Sequence, residues 1–405
     1  MKRFFTIRTV NRTAALLLAL VLLGGCGKKS APAAAQPASV GGSGAVPEAY
    51  LAIEPPERRG EGTPPYWPPS YEREEEPASL SAPQVSAPAK EAREEYHVTS
   101  VTLTPVEMAG TDEQLYSMQG SDYLIRHPDE EEPGAKGALQ NRARELLALR
   151  GEFPDIPIYT YFINRATNCD WYADTEGIRA YDYAGYFEQQ LGADSGIVCA
   201  RFTPADLRDY MDTGYKLDFH LNHIGSYRAY SEVYAMLSKD MALSPMLQPL
   251  QEMDYDSLLC VGGLFERPGE VDLPEEKMDV FRTYKFDYGE FDSYVDDRKS
   301  VVGMEEEYES GQIDRDPTFQ HLFSFYGGQS GIVSFDFHQP DKPNLLMLSD
   351  SQGRPERKLL ASHFNRTIYL DVERTNRTDL AQVIRDEDIG VVLMIGQISI
   401  FQHFL

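Results

Sequence analysis

The sequence predicts an α/β protein in which a doubly wound parallel sheet has helices on both faces. Short runs of β-branched and aromatic residues, typical of buried strands, alternate with stretches whose apolar residues recur at helical spacing. A helix is predicted at 137–150 and a strand at 156–163, and further strands are predicted at 344–348, 367–372 and 391–395. Strands that alternate with helices pair in parallel, because each helix carries the chain back across one face of the sheet.

The same patterns fill most of the remaining chain. Further helices are predicted at 175–191, 204–211, 225–239, 356–364 and 380–385, and one further strand at 196–201. Residues 240–343 break the alternation, since they are acidic and rich in turn-forming residues. Short strands are predicted there at 257–265, 282–288 and 332–337, so we interpret this region as a β-rich insertion.

Residues 1–25 have the features of a bacterial lipoprotein signal peptide. Four basic residues precede an apolar core at 14–23, and Cys26 follows Gly24 and Gly25 as in a lipobox. The core is shorter than the ~20 residues that a membrane-spanning helix needs. We therefore expect cleavage before Cys26 and a lipid on its thiol, which anchors the mature protein to the extracytoplasmic face of the cell membrane. An uncleaved anchor is the alternative.

Residues 26–95 predict a disordered tether, because they are rich in Pro, Ala, Ser and Glu. Within it, Tyr66 and Trp67 stand between paired prolines, a pattern that fits a plain spacer or a peptide ligand for an aromatic-lined groove. The composition turns globular after the tether. Residues 96–405 are long enough for one α/β domain that contains the insertion.

The mature chain is strongly acidic. Removal of the leader takes away four basic residues and no acidic ones, which lowers the formal net charge from −26 to −30. Such a surface repels phosphate backbones and anionic lipid head groups. We therefore expect no nucleic-acid partner, and a membrane attachment that depends on the lipid.

The sequence carries no pattern typical of a metal or cofactor site. After Cys26 come Cys169, Cys199 and Cys260, without the Cys-x-x-Cys spacing of zinc or redox sites. They fit three separate buried thiols, or one disulfide with a thiol left over. The acidic run at 287–297 lacks the regular calcium-loop pattern and is interpreted as a solvated loop.

Two segments carry the residues of a serine-based active site. In one, the apolar strand at 344–348 is followed by Ser351 at a turn; in the other, Asp218 and His220 are two residues apart. Residues at this spacing share one face of an extended segment. A serine hydroxyl becomes a strong nucleophile when an imidazole takes its proton and a carboxylate fixes the tautomer of that imidazole. The sequence therefore predicts Ser351 as nucleophile, His220 as general base and Asp218 as its orienting partner.

These two segments resemble the DHHW family, a bacterial surface branch of the SGNH (GDSL-like) hydrolases. Residues 215–230, Tyr-Lys-Leu-Asp-Phe-His-Leu-Asn-His-Ile-Gly-Ser-Tyr-Arg-Ala-Tyr, are similar to the Asp-His-His-Trp segment of that family and to the Asn-His-x-Gly-Ser-Tyr run after it. Residues 345–353 are similar to its Gly-Asp-Ser block. In this branch, as in the similar alginate O-acetyltransferase-like proteins, the Asp-x-His segment precedes the serine, as it does here. The likeness spans roughly residues 96–405.

The resemblance implies an SGNH-like, flavodoxin-like fold and an esterase or acyl (acetyl) transferase that acts on an acylated cell-envelope polysaccharide without a cofactor. It also implies that Asn164, which ends the strand predicted at 156–163, donates a hydrogen bond to the oxyanion. A turn-forming role is the alternative for Asn164. For the whole domain, the alternative is a catalytically inert module that binds a glycan or a protein.

Three positions depart from the family pattern. Phe219 and Leu221 replace its second His and its Trp, and Ser349 stands where Gly is usual. Glycine is used where backbone is strained or closely approached, so Ser349 predicts a crowded turn at the nucleophile. These departures favour the inert alternative, whereas the three retained triad residues favour an enzyme.

Overall fold

The structure, a computed structural model, describes most of the chain from residue 101 onward. The described residues are 101–126, 134–169, 171–172, 182–260, 262–265, 270–313, 321–327, 331–375, 378–397 and 400. The predicted signal peptide, the tether and Cys26 lie outside them, as does the beginning of the helix predicted at 175–191. No helix formed by the described residues is long and apolar enough to cross a membrane.

The described part of the chain contains thirteen strands and eight helices. The strands are β1 Leu103–Val106, β2 Leu115–Met118, β3 Leu124–Arg126, β4 Ile158–Ile163, β5 Ile197–Phe202, β6 Gln251–Cys260, β7 Asp279–Lys285, β8 Asp292–Val295, β9 Arg298–Lys299, β10 Ile332–Asp336, β11 Asn344–Ser349, β12 Arg366–Asp371 and β13 Ile389–Gly396. The helices are α1 Ala135–Glu152, α2 Tyr183–Leu191, α3 Leu207–Thr213, α4 His223–Leu237, α5 Glu305–Glu309, α6 His321–Phe325, α7 Arg354–Ala361 and α8 Leu380–Asp386.

Eight of the described strands form one mixed sheet. Its order is β5-β4-β13-β11-β12-β10-β8-β9, and the pairing is parallel from β5 to β12 and antiparallel from β12 to β9. The five parallel strands confirm the predicted α/β class. The strand β13 lies between β4 and β11. The carboxyl ends of these three strands, which are far apart in the sequence, are therefore neighbours in the sheet.

The two faces of the sheet pack against different helices. Along β11, Leu346 and Leu348 belong to a core that includes α1, α2 and α8, whereas Leu345 and Met347 belong to a second core that includes α4 and α7. Alternate side chains of a strand point to opposite faces, so an uninterrupted apolar strand needs cover on both sides. The doubly wound arrangement is therefore confirmed.

The region predicted as a β-rich insertion extends the main sheet and also forms a separate pair of strands. β10, β8 and β9 continue the sheet beyond β12, each antiparallel to its neighbour, whereas β6 pairs with β7 alone among the described strands. The strand predicted at 257–265 is misplaced, since β6 runs Gln251–Cys260. The first half of β6 is polar and exposed at Gln251, Glu252 and Asp254. A hydrophobic pattern therefore could not reveal it.

A three-stranded antiparallel sheet, β1-β2-β3, precedes the main domain elements and is absent from the sequence prediction. Its strands are three or four residues long. So few positions cannot display a period of two, which explains why the pattern failed to identify them.

The helix that follows the candidate nucleophile, α7, buries three charged side chains, Arg354, Glu356 and Arg357. Arg354 Nη2 donates to Asp371 Oδ2 at 2.7 Å, and Arg357 Nη2 donates to the carbonyl oxygens of Tyr326 and Gly327. Burial raises the pKa of Glu356 to about 8, because removal from water disfavours the charged carboxylate. Glu356 is therefore mainly protonated in the folded protein at neutral pH.

The substitution Glu356→Gln is expected to stabilise the protein at alkaline pH. The pKa of this carboxyl rises from 4.5 to about 8 on folding, so the stabilisation linked to its proton is complete below pH 4.5 and is lost as the pH rises through about 8. Glutamine mimics the protonated form at every pH. The free energy of unfolding of the variant should match wild type near pH 4 and exceed it by roughly 5 kcal/mol at pH 9.

Denaturant unfolding at the two pH values measures this difference. The exposed residue Glu107 offers a control, Glu107→Gln, which should change the pH dependence little. A Glu356→Gln variant whose unfolding free energy follows the wild-type pH dependence would contradict the assignment.

Candidate active site

The candidate nucleophile lies at the carboxyl end of a central parallel strand. β11 ends at Ser349, Asp350 follows, and Ser351 begins a 3₁₀ turn, Ser351–Gly353, that leads directly into α7. Ligands of doubly wound sheets bind beyond this edge. The first N–H groups of a helical run have no acceptor within it, so the N–H of Ser351 is a candidate donor to a developing oxyanion.

Asp218 and His220 lie in a short loop between α3 and α4. An isolated antiparallel bridge between Gly214 and Leu221 closes this loop. α4 begins two residues beyond Leu221, where the side chain of Asn222 caps it by accepting two backbone N–H groups. The loop is thus fixed at both ends, and the two candidate catalytic side chains stand between the fixed points.

The backbone that leads into this loop is held from the β-rich region. On β7, a carboxylate oxygen of Asp279 accepts the N–H groups of Lys216 at 2.9 Å and Leu217 at 3.0 Å. Burial raises the pKa of Asp279 to about 6, while the two amides oppose that rise. A residue more than sixty positions downstream therefore orients the residue that precedes Asp218.

The structure brings Asp218, His220 and Ser351 together in one hydrogen-bonded series. Asp218 Oδ1 lies 2.6 Å from His220 Nδ1, and His220 Nε2 lies 2.8 Å from Ser351 Oγ. Asp218 is 6% and His220 3% exposed, whereas Ser351 is half-buried. These contacts match the order in which a carboxylate, an imidazole and a hydroxyl must meet for serine activation. The catalytic roles themselves stay predictions.

Aromatic rings enclose the imidazole of His220. The ring of Phe219 stacks on it with centroids 4.5 Å apart, and Phe323 on α6 meets it edge-on at 5.1 Å. The guanidinium of Arg354 lies over the other ring, that of Phe323, at 5.1 Å. Apolar walls of this kind lower the local dielectric constant and so strengthen the Asp218 to His220 interaction.

Two consecutive glycines, Gly262 and Gly263, lie against the loop that carries Asp218 and His220. A Cβ atom at Gly262 would stand 2.1 Å from Asp218 Oδ2, and one at Gly263 would stand 2.6 Å from the ring of Phe219. Only residues without a side chain allow the backbone so close to the carboxylate and the ring. The consecutive glycines were the available sequence signal for this contact, although they do not show what the chain approaches there.

Ser349, which stands where the DHHW pattern usually has Gly, is completely buried. Its Oγ donates to the carbonyl oxygen of Asp350 at 2.9 Å. A Cβ atom at Gly353 would lie 2.2 Å from this Oγ, so the absence of a side chain at Gly353 makes the room that the serine occupies. The predicted crowding is thus relieved within the same turn.

Asn164, the candidate oxyanion donor, is buried just beyond the end of β4. Its Nδ2 donates to Thr203 Oγ1 at 3.0 Å, and its backbone N–H donates to the carbonyl oxygen of Phe202. The side-chain amide is thus bonded to Thr203 and not to a triad residue. Its position at the reactive edge of the sheet agrees with the expectation, but the oxyanion role stays a prediction.

The second imidazole of the segment, His223, contacts residues of the β-rich region. As the first residue of α4 it packs edge-on against Tyr284 at 4.8 Å, and its Nε2 lies 3.7 Å from Glu252 Oε1. Burial and the charge of Arg282 lower the pKa of His223 to about 4. His220 is therefore the imidazole that meets the candidate nucleophile.

Two buried glutamines that the sequence analysis did not identify join the triad segments. Gln397 Nε2 and Gln352 Nε2 both donate to the carbonyl oxygen of Phe219, at 3.2 and 3.4 Å. Their backbone N–H groups both donate to the carboxylate of Asp350, at 3.0 and 2.9 Å. Gln397 directly follows β13, so the positional rule that indicates Ser351 was also the signal available for Gln397.

The cysteines and acidic side chains of the described residues form no group of three or more that could hold a metal ion. The thiol of Cys169 lies 3.3 Å from the carbonyl oxygen of Arg165, with which it hydrogen-bonds. Cys199 is half-buried on β5, and burial raises the pKa of its thiol.

The fold is SGNH-like, as comparison with solved structures shows. Bacillus cereus PatB1 with a sulfonyl adduct superposes with a TM-score of 0.57 and 13% identity, over 74% of this chain and 99% of that chain. A DHHW family protein from Eubacterium siraeum superposes with a TM-score of 0.55 and 16% identity, over 75% and 99%. No known family profile and no curated protein matches the sequence. At these identities the likeness establishes the fold alone.

The pair of Ser349 and Gly353 is expected to behave as a coupled unit. Gly353→Ala places a methyl group against Ser349 Oγ and, at 3.0 Å, against Ile395 Cγ2, so it should lower the free energy of unfolding by roughly 1–3 kcal/mol. Ser349→Gly removes the closest of these contacts and should rescue much of that loss. Denaturant unfolding of the two single variants and the double variant gives the coupling energy.

A matched control is Gly137→Ala, since a Cβ atom at this exposed position of α1 meets nothing within 4 Å. It should be neutral or slightly stabilising. Strictly additive effects of Gly353→Ala and Ser349→Gly would show that the two positions are not matched to each other.

Proposed function

We propose that this protein is a lipid-anchored, extracytoplasmic serine esterase or acyl transferase of SGNH type that acts on an acetylated cell-envelope glycan. The observation that carries the proposal is the series of Asp218, His220 and Ser351, with contacts of 2.6 and 2.8 Å at the carboxyl edge of the sheet. The second contact does not arise from local chain geometry, since His220 and Ser351 are 131 residues apart. Their meeting supports a catalytic role.

In the first half-reaction, Ser351 Oγ attacks the acyl carbonyl carbon of the donor ester. His220 Nε2 accepts the hydroxyl proton as the new C–O bond forms, and Asp218 stabilises the imidazolium through Nδ1–H. The oxyanion accepts a hydrogen bond from the N–H of Ser351, with Asn164 as the second candidate donor. When the intermediate collapses, the ester C–O bond breaks, and His220 returns the proton to the departing alcohol. Ser351 keeps the acyl group.

In the second half-reaction, the acyl group moves from Ser351 to a hydroxyl. His220 Nε2 takes the proton of a water molecule or of a glycan hydroxyl, whose oxygen attacks the acyl carbonyl. Collapse of the second intermediate breaks the bond to Ser351 Oγ, and His220 protonates that oxygen. The same residues serve hydrolysis and transfer, so the acceptor that reaches the site decides between them.

The choice of a cell-envelope glycan rests on the predicted location and on the resemblance of residues 215–230 to the DHHW family. The leader and Cys26 predict a protein held outside the cytoplasm, where the polymers of the cell envelope lie. The likeness to PatB1, which carries a sulfonyl adduct in its solved structure, supports a sulfonyl fluoride as the reagent with which to probe Ser351.

An inert binding module is the second candidate function, and one observation favours it. The amide of Asn164, the candidate oxyanion donor, is already bonded to Thr203 at 3.0 Å. An oxyanion hole with a single donor stabilises the transition state less, since each donor contributes a factor of roughly 10²–10³ to the rate.

The enzyme proposal predicts that Ser351→Ala and His220→Ala each abolish hydrolysis of 4-nitrophenyl acetate by the mature chain. Triad members act as a unit, so each substitution should lower kcat by roughly 10³-fold or more. The exposed residues Ser238 and His338 provide controls, Ser238→Ala and His338→Ala, which should retain wild-type rates. Hydrolysis that persists in Ser351→Ala would place the nucleophile elsewhere, and an inactive wild type would favour the binding module.

The lipid anchor predicts that Cys26→Ala prevents acylation of the protein. Without its leader, the variant should be recovered in the soluble fraction, because the acidic surface offers no electrostatic attachment to anionic lipids. Labelling with a fatty-acid analogue followed by membrane fractionation measures both effects. Unchanged membrane association of the leaderless variant would refute the lipid anchor.

A further inference from the structure

The peptide group between Phe219 and His220 is hydrogen-bonded at both of its polar ends. Its carbonyl oxygen accepts Gln397 Nε2 at 3.2 Å and Gln352 Nε2 at 3.4 Å. Its N–H, which belongs to His220, donates to Asp218 Oδ1 at 3.2 Å. The same carboxylate oxygen lies 2.6 Å from His220 Nδ1. The orientation of this one peptide therefore determines where the Asp218 carboxylate is held.

Gln397 is the residue that ties this peptide to the rest of the site. It is 2% exposed, and its Oε1 accepts Arg165 Nε at 3.0 Å, so both ends of its amide are engaged. Its backbone N–H donates to Asp350 Oδ2 at 3.0 Å, directly before the candidate nucleophile. Gln397 thus contacts the end of β4, the serine turn and the Asp218 loop at the same time.

The second donor, Gln352, reaches the same carbonyl oxygen from the serine turn. It is also 2% exposed, and its backbone N–H donates to Asp350 Oδ1 at 2.9 Å. The carboxylate of Asp350 therefore fixes both glutamines, and both glutamines fix the carbonyl of Phe219. These hydrogen bonds join the serine turn to the loop of Asp218 and His220, so they act on the distance between His220 and Ser351.

We propose that Gln397, assisted by Gln352, is a positioning residue of the triad, which directs the His220 N–H onto Asp218 and so holds His220 Nε2 on Ser351. Donation to a carbonyl oxygen polarises the peptide and strengthens its N–H as a donor, so the bonds to Phe219 reinforce the bond to Asp218. Small displacements of a reacting group are costly, with about 10²-fold in rate for a shift of 1 Å. The inference rests on the proposed serine chemistry for its rate readout only.

A purely structural bridge would make a different prediction. Loss of a buried hydrogen bond lowers the free energy of unfolding in either case. Only a positioning residue changes the reactivity of Ser351 in the molecules that remain folded, and only a positioning residue changes the environment of the proton between His220 Nδ1 and Asp218.

The test uses Gln397→Met, Gln352→Met and the double variant in the mature chain, because Met has a similar length and no amide donor. The rate at which phenylmethylsulfonyl fluoride modifies Ser351 is followed by intact mass, with Tm measured in parallel. Each single variant should react about 10-fold more slowly, and the double variant should lose more than the product of the two single effects, because both amides serve one oxygen. With 4-nitrophenyl acetate, kcat should fall while KM stays within about 2-fold.

A second readout does not depend on reactivity. The low-field proton signal of His220 Nδ1–H in the ¹H NMR spectrum, assigned by its disappearance in Asp218→Asn, should shift or broaden in the glutamine variants. The control is Gln339→Met, which removes another bridging amide: Gln339 Nε2 donates to the carbonyl oxygen of Ser362 at 2.9 Å, and its Oε1 accepts Ser244 Oγ. Its modification rate and its proton signal should match wild type.

The outcomes separate the two proposals. Gln397→Met and Gln352→Met variants with a lowered Tm but wild-type modification rates and an unchanged proton signal would overturn the positioning role. An unreactive wild type whose low-field signal shifts in both glutamine variants would support the positioning role and refute the serine chemistry. Because the two glutamines lie on different elements, failure of one variant to fold leaves the other to decide.

Discussion

The carboxylate of Asp350 is the interaction on which the geometry of the site depends. It is completely buried at the end of β11, and its two oxygens accept the backbone N–H groups of Gln352 and Gln397. An unpaired carboxylate at this depth would destabilise the fold by several kcal/mol, so these amides have little freedom to move. Gly396 brings β13 against this carboxylate, where a Cβ atom would lie 2.5 Å from Asp350 Oδ1, and its φ of +157° suits only glycine. The turn of Ser351 and the end of β13 are therefore set together.

The β-rich region contributes to the site even though it lies far from the nucleophile in the sequence. Asp279 on β7 holds the backbone at 216–217, and Gly262 lies directly against the Asp218 carboxylate. Phe323 on α6 covers the imidazole of His220. The parallel sheet supplies the candidate nucleophile and its turn, and elements between residues 251 and 325 help to hold Asp218 and His220. The region predicted as a β-rich insertion therefore supports the loop that carries Asp218 and His220.

Local patterns in the sequence predicted the parallel core and the three triad residues, because both produce signals within a few positions. Leu345 to Leu348 form an apolar run that requires cover on both faces, and the spacing of Asp218 and His220 is visible directly. Other contacts of the site join residues far apart in the sequence, such as Gln397 and Phe219, which are 178 positions apart. They follow from the position of β13 between β4 and β11, which no periodicity encodes. The first half of β6 was missed because its residues are polar and exposed, and β1 to β3 were missed because strands of three or four residues cannot display a period of two.

Three residues depart from the DHHW pattern. At two of them the contacts of the site are made by the backbone, and at the third a neighbouring glycine makes room for the side chain. At Phe219 the carbonyl oxygen accepts both glutamines, so the side chain is required only to pack, and its ring stacks on His220 at 4.5 Å. At Leu221 the backbone pairs with Gly214, and the side chain joins the core on the α4 face of the sheet. The hydroxyl of Ser349 fits because Gly353 has no Cβ atom. None of the three replacements removes a polar group from the contacts among Asp218, His220 and Ser351, so the altered motif remains compatible with serine chemistry.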